Sequence, residues 1–163
     1  MTSHEPTNPR VVLSEDHRRI DGLLDRLLGG VRADDREVTA KVLSKLEKTL
    51  LNHINVEEMF VFPALSETHA PEAERLGREH AKIRQALGEL GLALELHVLR
   101  AEVVDAFCTA LREHFEREES FAYEQAERKL PVQIARAIAD RVKAIVGAAR
   151  PSRAKGRAAR GSS

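Results

Sequence analysis

The chain has 163 residues, 42% of them hydrophobic, with 26 basic and 26 acidic side chains, and no apolar run near the roughly 20 residues that span a bilayer, so one domain with a real core and no membrane role is expected. The zero net charge hides an asymmetry. Arg150, Arg153, Lys155, Arg157 and Arg160 lie in the last fourteen residues, so the body before them holds 21 basic against 26 acidic residues, a balance that argues against nucleic-acid binding by the folded part.

Residues 1–10 carry two prolines and read as a flexible lead-in, residues 11–149 as the folded domain, and residues 150–163 as a disordered basic tail. A first helix is predicted from about Val11 to Leu28, with Leu13, His17, Ile20, Leu24 and Leu27 at helical spacing and Gly29-Gly30 ending it. Asp34 and Glu37 form a candidate capping box for a second helix carrying Val38, Val42, Leu46, Leu50, His53, Glu57 and Phe60, with a kink or early end at Pro63. Pro71 suits the start of a third helix, whose stripe is Leu76, His80, Ile83, Leu87, Leu90 and Leu94. The next turn is faintly marked, with Gly88, Gly91 and His97 as candidates. A fourth stripe follows, of Val103, Phe107, Leu111, His114, Glu118 and Phe121, and Pro131 opens a shorter fifth helix with Ile134, Ile138, Val142 and Ile145. With hardly any strand pattern the class is all-α, read as an up-down-up-down four-helix bundle with a short fifth C-terminal helix.

One spacing occurs twice. His17-x35-His53-x3-Glu57 is answered by His80-x33-His114-x3-Glu118, and Leu50-x2-His53-x3-Glu57-Glu58-x-Phe60 matches Leu111-x2-His114-x3-Glu118-Glu119-x-Phe121. In an up-down bundle the start of one helix lies beside the end of the next, so all four histidines reach the same end at similar height. The i,i+4 spacing places Glu57 and Glu118 on the same faces as His53 and His114. A single histidine on an apolar stripe is most often a hydrogen-bonded core residue. Four histidines and two carboxylates at one level are another matter, because each unpaired buried carboxylate costs several kcal/mol unless a cation neutralises it. The repeat suits a pair of ions, each hairpin giving two imidazoles and the two carboxylates bridging. Imidazole and carboxylate donors fit Fe, Mn or Zn. None of the histidines has a glutamate three residues before it (Ser14, Leu50, Gly77 and Leu111 stand there), which disfavours a ferritin-like oxidase.

These segments resemble the hemerythrin-like family, whose domains bear a His-His-Glu cation-binding motif. The resemblance runs over about residues 11–128 on Glu15-Asp16-His17-Arg18-Arg19-Ile20, His53 to Pro63, Glu79-His80-Ala81-Lys82-Ile83, and His114-Phe115-Glu116-Arg117-Glu118-Glu119. It implies a four-helix bundle with a non-haem di-iron site of two iron ions, His17 and His53 on one, His80 and His114 on the other, Glu57 and Glu118 bridging. Oxygen-carrying members have a further histidine one turn after the third-helix histidine. Here that residue is Arg84. The departure puts reversible oxygen carriage in doubt and favours sensing of, or reaction with, oxygen, nitric oxide or peroxide. Iron storage without turnover, and a metal-free helical interaction module, are the alternatives.

Other residues read more quietly. Glu58 is a candidate extra ligand or a supporting acid, and Asp21 a weaker candidate expected to be exposed. Phe60, Phe62, Phe115 and Phe121 are expected to line the core around the site, and His4, His69 and His97 to lie at the surface. Cys108 excludes an internal disulfide, reads as a core residue, and with the absence of a secretory leader pattern points to a cytoplasmic protein. No nucleophile constellation, Gly-rich phosphate loop or Cys-based zinc pattern is present.

Overall fold

A computed structural model describes residues 8–148, without the side chains of 145–148. The expected lead-in and basic tail therefore lie largely outside the described residues, as do His4 and the side chain of Ile145. Helix α1 spans Pro9–Arg32. It starts two residues ahead of the expected Val11 because Asn8 caps it, its Oδ1 accepting from the backbone N–H of Arg10 at 2.8 Å and of Val11 at 3.3 Å. Pro9 occupies the first turn, where a missing N–H costs nothing.

The expected stop at Gly29-Gly30 is not one. Both glycines lie inside α1, which ends at Arg32 with Asp34 in the left-handed region at φ 53°. The N–H groups of Asp34 and Asp35 donate to the carbonyls of Val31 and Gly30, the paired bonds of a Schellman turn. Asp35, not Asp34, then caps helix α2 (Arg36–Val56), accepting from Val38 N–H at 3.0 Å, so the expected Asp34–Glu37 box does not form. Gly30 serves packing instead: a Cβ there would fall 2.8 Å from Thr39 Oγ1. Thr39 is buried in α2, while Val38, expected in the stripe, is 40% exposed.

Neither the kink nor the end expected at Pro63 occurs. The chain leaves α2 through a π-helical turn, Glu57–Val61, and continues without a break into α3 (Phe62–Glu95), with Pro63 in its first turn. A break inside α3 falls at His69 (φ −137°, ψ 53°), just before Pro71, where the sequence places the start of a helix. Of the three candidates for the next turn, His97 forms it. It sits at φ 60°, its N–H donating to Leu94 and that of Val98 to Ala93, while Gly88 and Gly91 are mid-helix. Helix α4 spans Ala101–Arg117 and buries Val104 rather than Val103, which is 52% exposed. A second π-turn, Glu118–Ala122, leads into the short α5 (Tyr123–Glu127). Helix α6 (Val132–Ala148) follows Pro131, whose carbonyl accepts from Ile134 and Ala135.

Helix α1 packs on α2 and α4, α3 packs on the same two, and α6 lies against α1 and α2. No strand occurs among the described residues. The core is divided in two. Ile20, Leu46, Leu50, Ile83, Leu87 and Leu111 belong to one apolar cluster, and Leu13, Val56, Leu65, Leu76, Tyr123 and Ile138 to another. Each buried aliphatic side chain contributes about 1.5–3 kcal/mol, so both clusters hold the helices together strongly. Every histidine of the repeat stands where its helix crosses from one cluster to the other: His17 between Leu13 and Ile20, His53 between Leu50 and Val56, His80 between Leu76 and Ile83, His114 just past Leu111. The result is a polar layer sealed between two apolar ones.

Candidate metal centre

The six residues of the repeat meet in that layer, each 4% exposed or less. They form two four-residue groups, His17, His53, Glu57, Glu118 and Glu57, His80, His114, Glu118, with one donor atom from each residue inside 4.8 Å of the others. Both groups share Glu57 and Glu118. His17 and His53 bring their Nε2 atoms within 2.9 Å of one another. Glu57 lies 3.2 Å from His53 Nε2 through Oε1 and 3.2 Å from His80 Nε2 through Oε2, and Glu118 reaches His17, His80 and His114 at 3.3, 3.4 and 2.9 Å.

Closeness does not amount to satisfaction. Glu57 Oε2, His80 Nε2, His114 Nε2 and both Glu118 oxygens are buried without a properly directed hydrogen bond among the described residues. Buried polar atoms are almost always bonded, and five orphans in one spot call for an absent partner. The donors are imidazole nitrogens and carboxylate oxygens, which fits a borderline or hard cation. The electrostatics agree. Burial disfavours charge on His80, yet the carboxylates of Glu118 and Glu57 beside it outweigh this and raise it to about 9. Burial and the like charge of Glu118 work against an ionised Glu57, but His53 and His80 win and hold it at about 2. Against the same penalty of burial, Glu118 lies well below the usual carboxylate range, held there by His114, His17 and His80, and His53 lies well above the usual histidine value, held there by Glu57 and Asp16. The site thus keeps two carboxylates charged in a dry interior and faces them with positive charge.

The model of the hemerythrin HHE cation binding domain matches residues 8–96, more than half of the chain. The chain belongs to this family. No curated protein and no solved structure matches it. The family match takes in α1 to α3 and with them His17, His53, Glu57 and His80; His114 and Glu118 lie beyond it and are tied to the HHE site by the internal repeat and by distance.

Around the HHE site stands a ring of carboxylates that the sequence reading largely passed over. Asp16 accepts from His53 Nδ1 at 2.9 Å, Glu79 from His114 Nδ1 at 2.7 Å, Glu58 from His80 Nδ1 at 3.1 Å, and Glu119 from His17 Nδ1 at 2.7 Å. A carboxylate only accepts, so every ring carries hydrogen on Nδ1 and turns Nε2 inward, the arrangement in which metal-binding histidines are oriented. The signal lay in plain view: an acid precedes His17 and His80, and an acid follows Glu57 and Glu118. Arginines anchor three of these acids, Arg19 on Asp16, Arg84 on Glu58 and Arg117 on Glu79. Arg84, one turn after His80, is therefore engaged outward, bonded to Glu58 and Asn55. Glu58 supports His80 and lies outside both four-residue groups, and Asp21 pairs with Arg112.

Tyr123 was missed altogether. Its side chain is 2% exposed, and its hydroxyl donates to Glu57 Oε1 and lies 2.9 Å from His17 Nε2. Burial, reinforced by the charges of Glu57 and Glu118, pushes the phenol well above its ordinary value. Phe115 stacks on His17 at 3.8 Å and Phe62 on His80 at 4.7 Å, as lining residues should. The other two expected liners do not. Phe60, half-buried beneath the guanidinium of Arg141, packs against the second apolar cluster without stacking on a site histidine, and Phe121 is 37% exposed with its ring edge-on to His69. Cys108 is buried, and burial raises its thiol. A cleft of about 520 Å³ between α1 and α4, lined by Arg10, His17, Arg18, Arg112, Phe115 and Glu119, brings solvent to the edge of His17. No helix among the described residues is long and apolar enough to cross a membrane.

Proposed function

We propose that this HHE domain is an up-down four-helix bundle, with α6 as an added cover, that holds two iron ions and binds, senses or reacts with oxygen, nitric oxide or peroxide. His17 and His53 hold one ion, His80 and His114 the other, and Glu57 and Glu118 bridge. The observation that carries the reading is the pair of four-residue groups sharing two carboxylates, with five buried donor atoms left without partners. Two adjacent irons supply one electron each, the capacity needed to reduce a small oxidant by two electrons.

The chain's own residues do the rest. The four outer carboxylates fix the imidazole tautomers, Phe62 and Phe115 restrict water at the rings, and the α1–α4 cleft admits a molecule of a few atoms beside His17. With two histidines per position and Arg84 turned away, protein nitrogens leave both positions short of saturation, which favours reaction or sensing over reversible carriage. The protein is expected to act in the cytoplasm.

The test is iron stoichiometry and absorption of protein loaded with ferrous iron without oxygen and then exposed to air. About two irons per chain and new charge-transfer absorption are expected, with stoichiometry falling to one or none in His53→Ala and His114→Ala. Stoichiometric loading unaffected by both substitutions would overturn the assignment. Iron that is taken up and yielded rapidly to a chelator, with no change on contact with air, nitric oxide or peroxide, would mean storage instead.

A further inference from the structure

The repeat that builds the site is broken at a buried position beside the ligand cluster. Five residues beyond Glu57 stands Phe62, and five beyond Glu118 stands Tyr123. Phe62 lays a bare ring on His80, whereas Tyr123 brings an oxygen against His17 and Glu57. We propose that Tyr123 is a seventh donor of the centre, bound through Oη to the cation held by His17 and His53, so that the two metal positions are chemically unlike. The inference rests on the di-metal reading above.

Geometry supports it first. Donor atoms at right angles around one ion, with bonds of about 2.0–2.2 Å, stand roughly 3 Å apart. In the first half of the site the contacts have that size: His17 Nε2 to His53 Nε2 2.9 Å, His53 Nε2 to Glu57 Oε1 3.2 Å, His17 Nε2 to Glu118 Oε2 3.3 Å, and Tyr123 Oη to His17 Nε2 2.9 Å. Tyr123 Oη is as close to this set as its members are to each other. Its ring lies nearly parallel to that of His17, 5.5 Å away and tilted by 24°, so the hydroxyl is carried toward the inner edge of the imidazole.

Partnering supports it second. His80 Nε2 and His114 Nε2 are orphans, while His17 Nε2 has Tyr123 and His53 for company. A phenol used only to steady Glu57 would need no contact with His17. The step balances simply. The O–H bond of Tyr123 breaks, a bond from Oη to a ferric ion forms, the proton leaves to solvent, and no electron moves.

The chain has one tyrosine and no tryptophan, so every tyrosine signal comes from Tyr123. Full-length protein is loaded with ferrous iron, oxidised in air, assayed for iron, and examined by resonance Raman within its visible absorption. Tyrosinate ring modes are expected in the wild-type protein and complete loss of them in Tyr123→Phe, compared per bound iron. Two irons per chain without tyrosinate modes would overturn the inference and leave the di-iron reading standing. No stoichiometric iron would overturn both. Should Tyr123→Phe fail to fold, the wild-type spectrum decides alone, since no other tyrosine can produce the modes.

Discussion

Each imidazole of the site is held at Nδ1 by an outer carboxylate and turns Nε2 to the inner cluster, and the outer bond sets which nitrogen faces a cation. Asp16→Asn or Glu79→Gln is therefore expected to weaken cation affinity about 10–100-fold while leaving the helical content unchanged. Calorimetric titration with cobalt(II), beside circular dichroism, measures both; an affinity within twofold of wild type would refute the orienting role. The inner six residues were legible because their spacing is tied to helix geometry and repeats. The outer acids were not, since an acid next to a motif has the same spacing as one bathed in water, and only Glu58 drew notice as a supporting group. Tyr123 was hidden for a different reason. Five residues after Glu118 is the wrong face of an α-helix, and only a π-turn brings that position round over the site.

At the scale of elements the two π-turns are the feature that hydrophobic periodicity cannot reveal, because one extra residue per turn shifts the stripe only locally. They begin at Glu57 and Glu118, and the N–H groups of Phe62 and Tyr123 reach back five residues to those glutamates' carbonyls. Within each turn the stripe slips out of register, which accounts for the misplacing of Phe60 and Phe121 among the lining residues. The helix stops were misread in the opposite direction: glycine pairs suggest an end, but Asp34 and His97 take the left-handed turns and the glycines stay helical. Gly29 and Gly30 separate the two roles of glycine. A methyl at Gly29 meets nothing within 4 Å, so Gly29→Ala is expected to stabilise by up to about 1 kcal/mol through helix propensity. At Gly30 it would press on Thr39, whose hydroxyl is bonded to the Asp35 carbonyl, and Gly30→Ala is expected to destabilise by about 1–3 kcal/mol. Urea unfolding of the pair tests this, and equal midpoints would refute it.

For the whole molecule, a charged layer between two apolar clusters makes stability depend on pH in a predictable direction. His80 is raised to about 9 from an ordinary 6.5, so what it contributes is complete below about pH 6.5 and disappears as pH climbs through 9; His53 and His114 are raised too, and their contributions are likewise lost on the alkaline side. Glu57 is lowered to about 2 from 4.5, so its contribution is complete above about pH 4.5 and disappears toward pH 2. Metal-free protein is therefore expected to melt highest between about pH 4.5 and 6.5 and several degrees lower at pH 9. Cations replace the inward protons of the imidazoles, so loaded protein is expected to show no such fall on the alkaline side. Thermal scans of both forms across this range are the check, and parallel curves would refute the account.

Two of the four outer bonds cross between the halves of the chain. Glu58, in the π-turn after α2, holds His80 of α3, and Glu119, in the π-turn after α4, holds His17 of α1. Neither half can align both of its own imidazoles alone. The centre is thus a latch whose two parts must be shut together before either ion is gripped, and it lets go only when they part. Removal by a chelator too bulky for the α1–α4 cleft is then expected to become independent of chelator concentration, levelling off at the rate at which the helices themselves swing open.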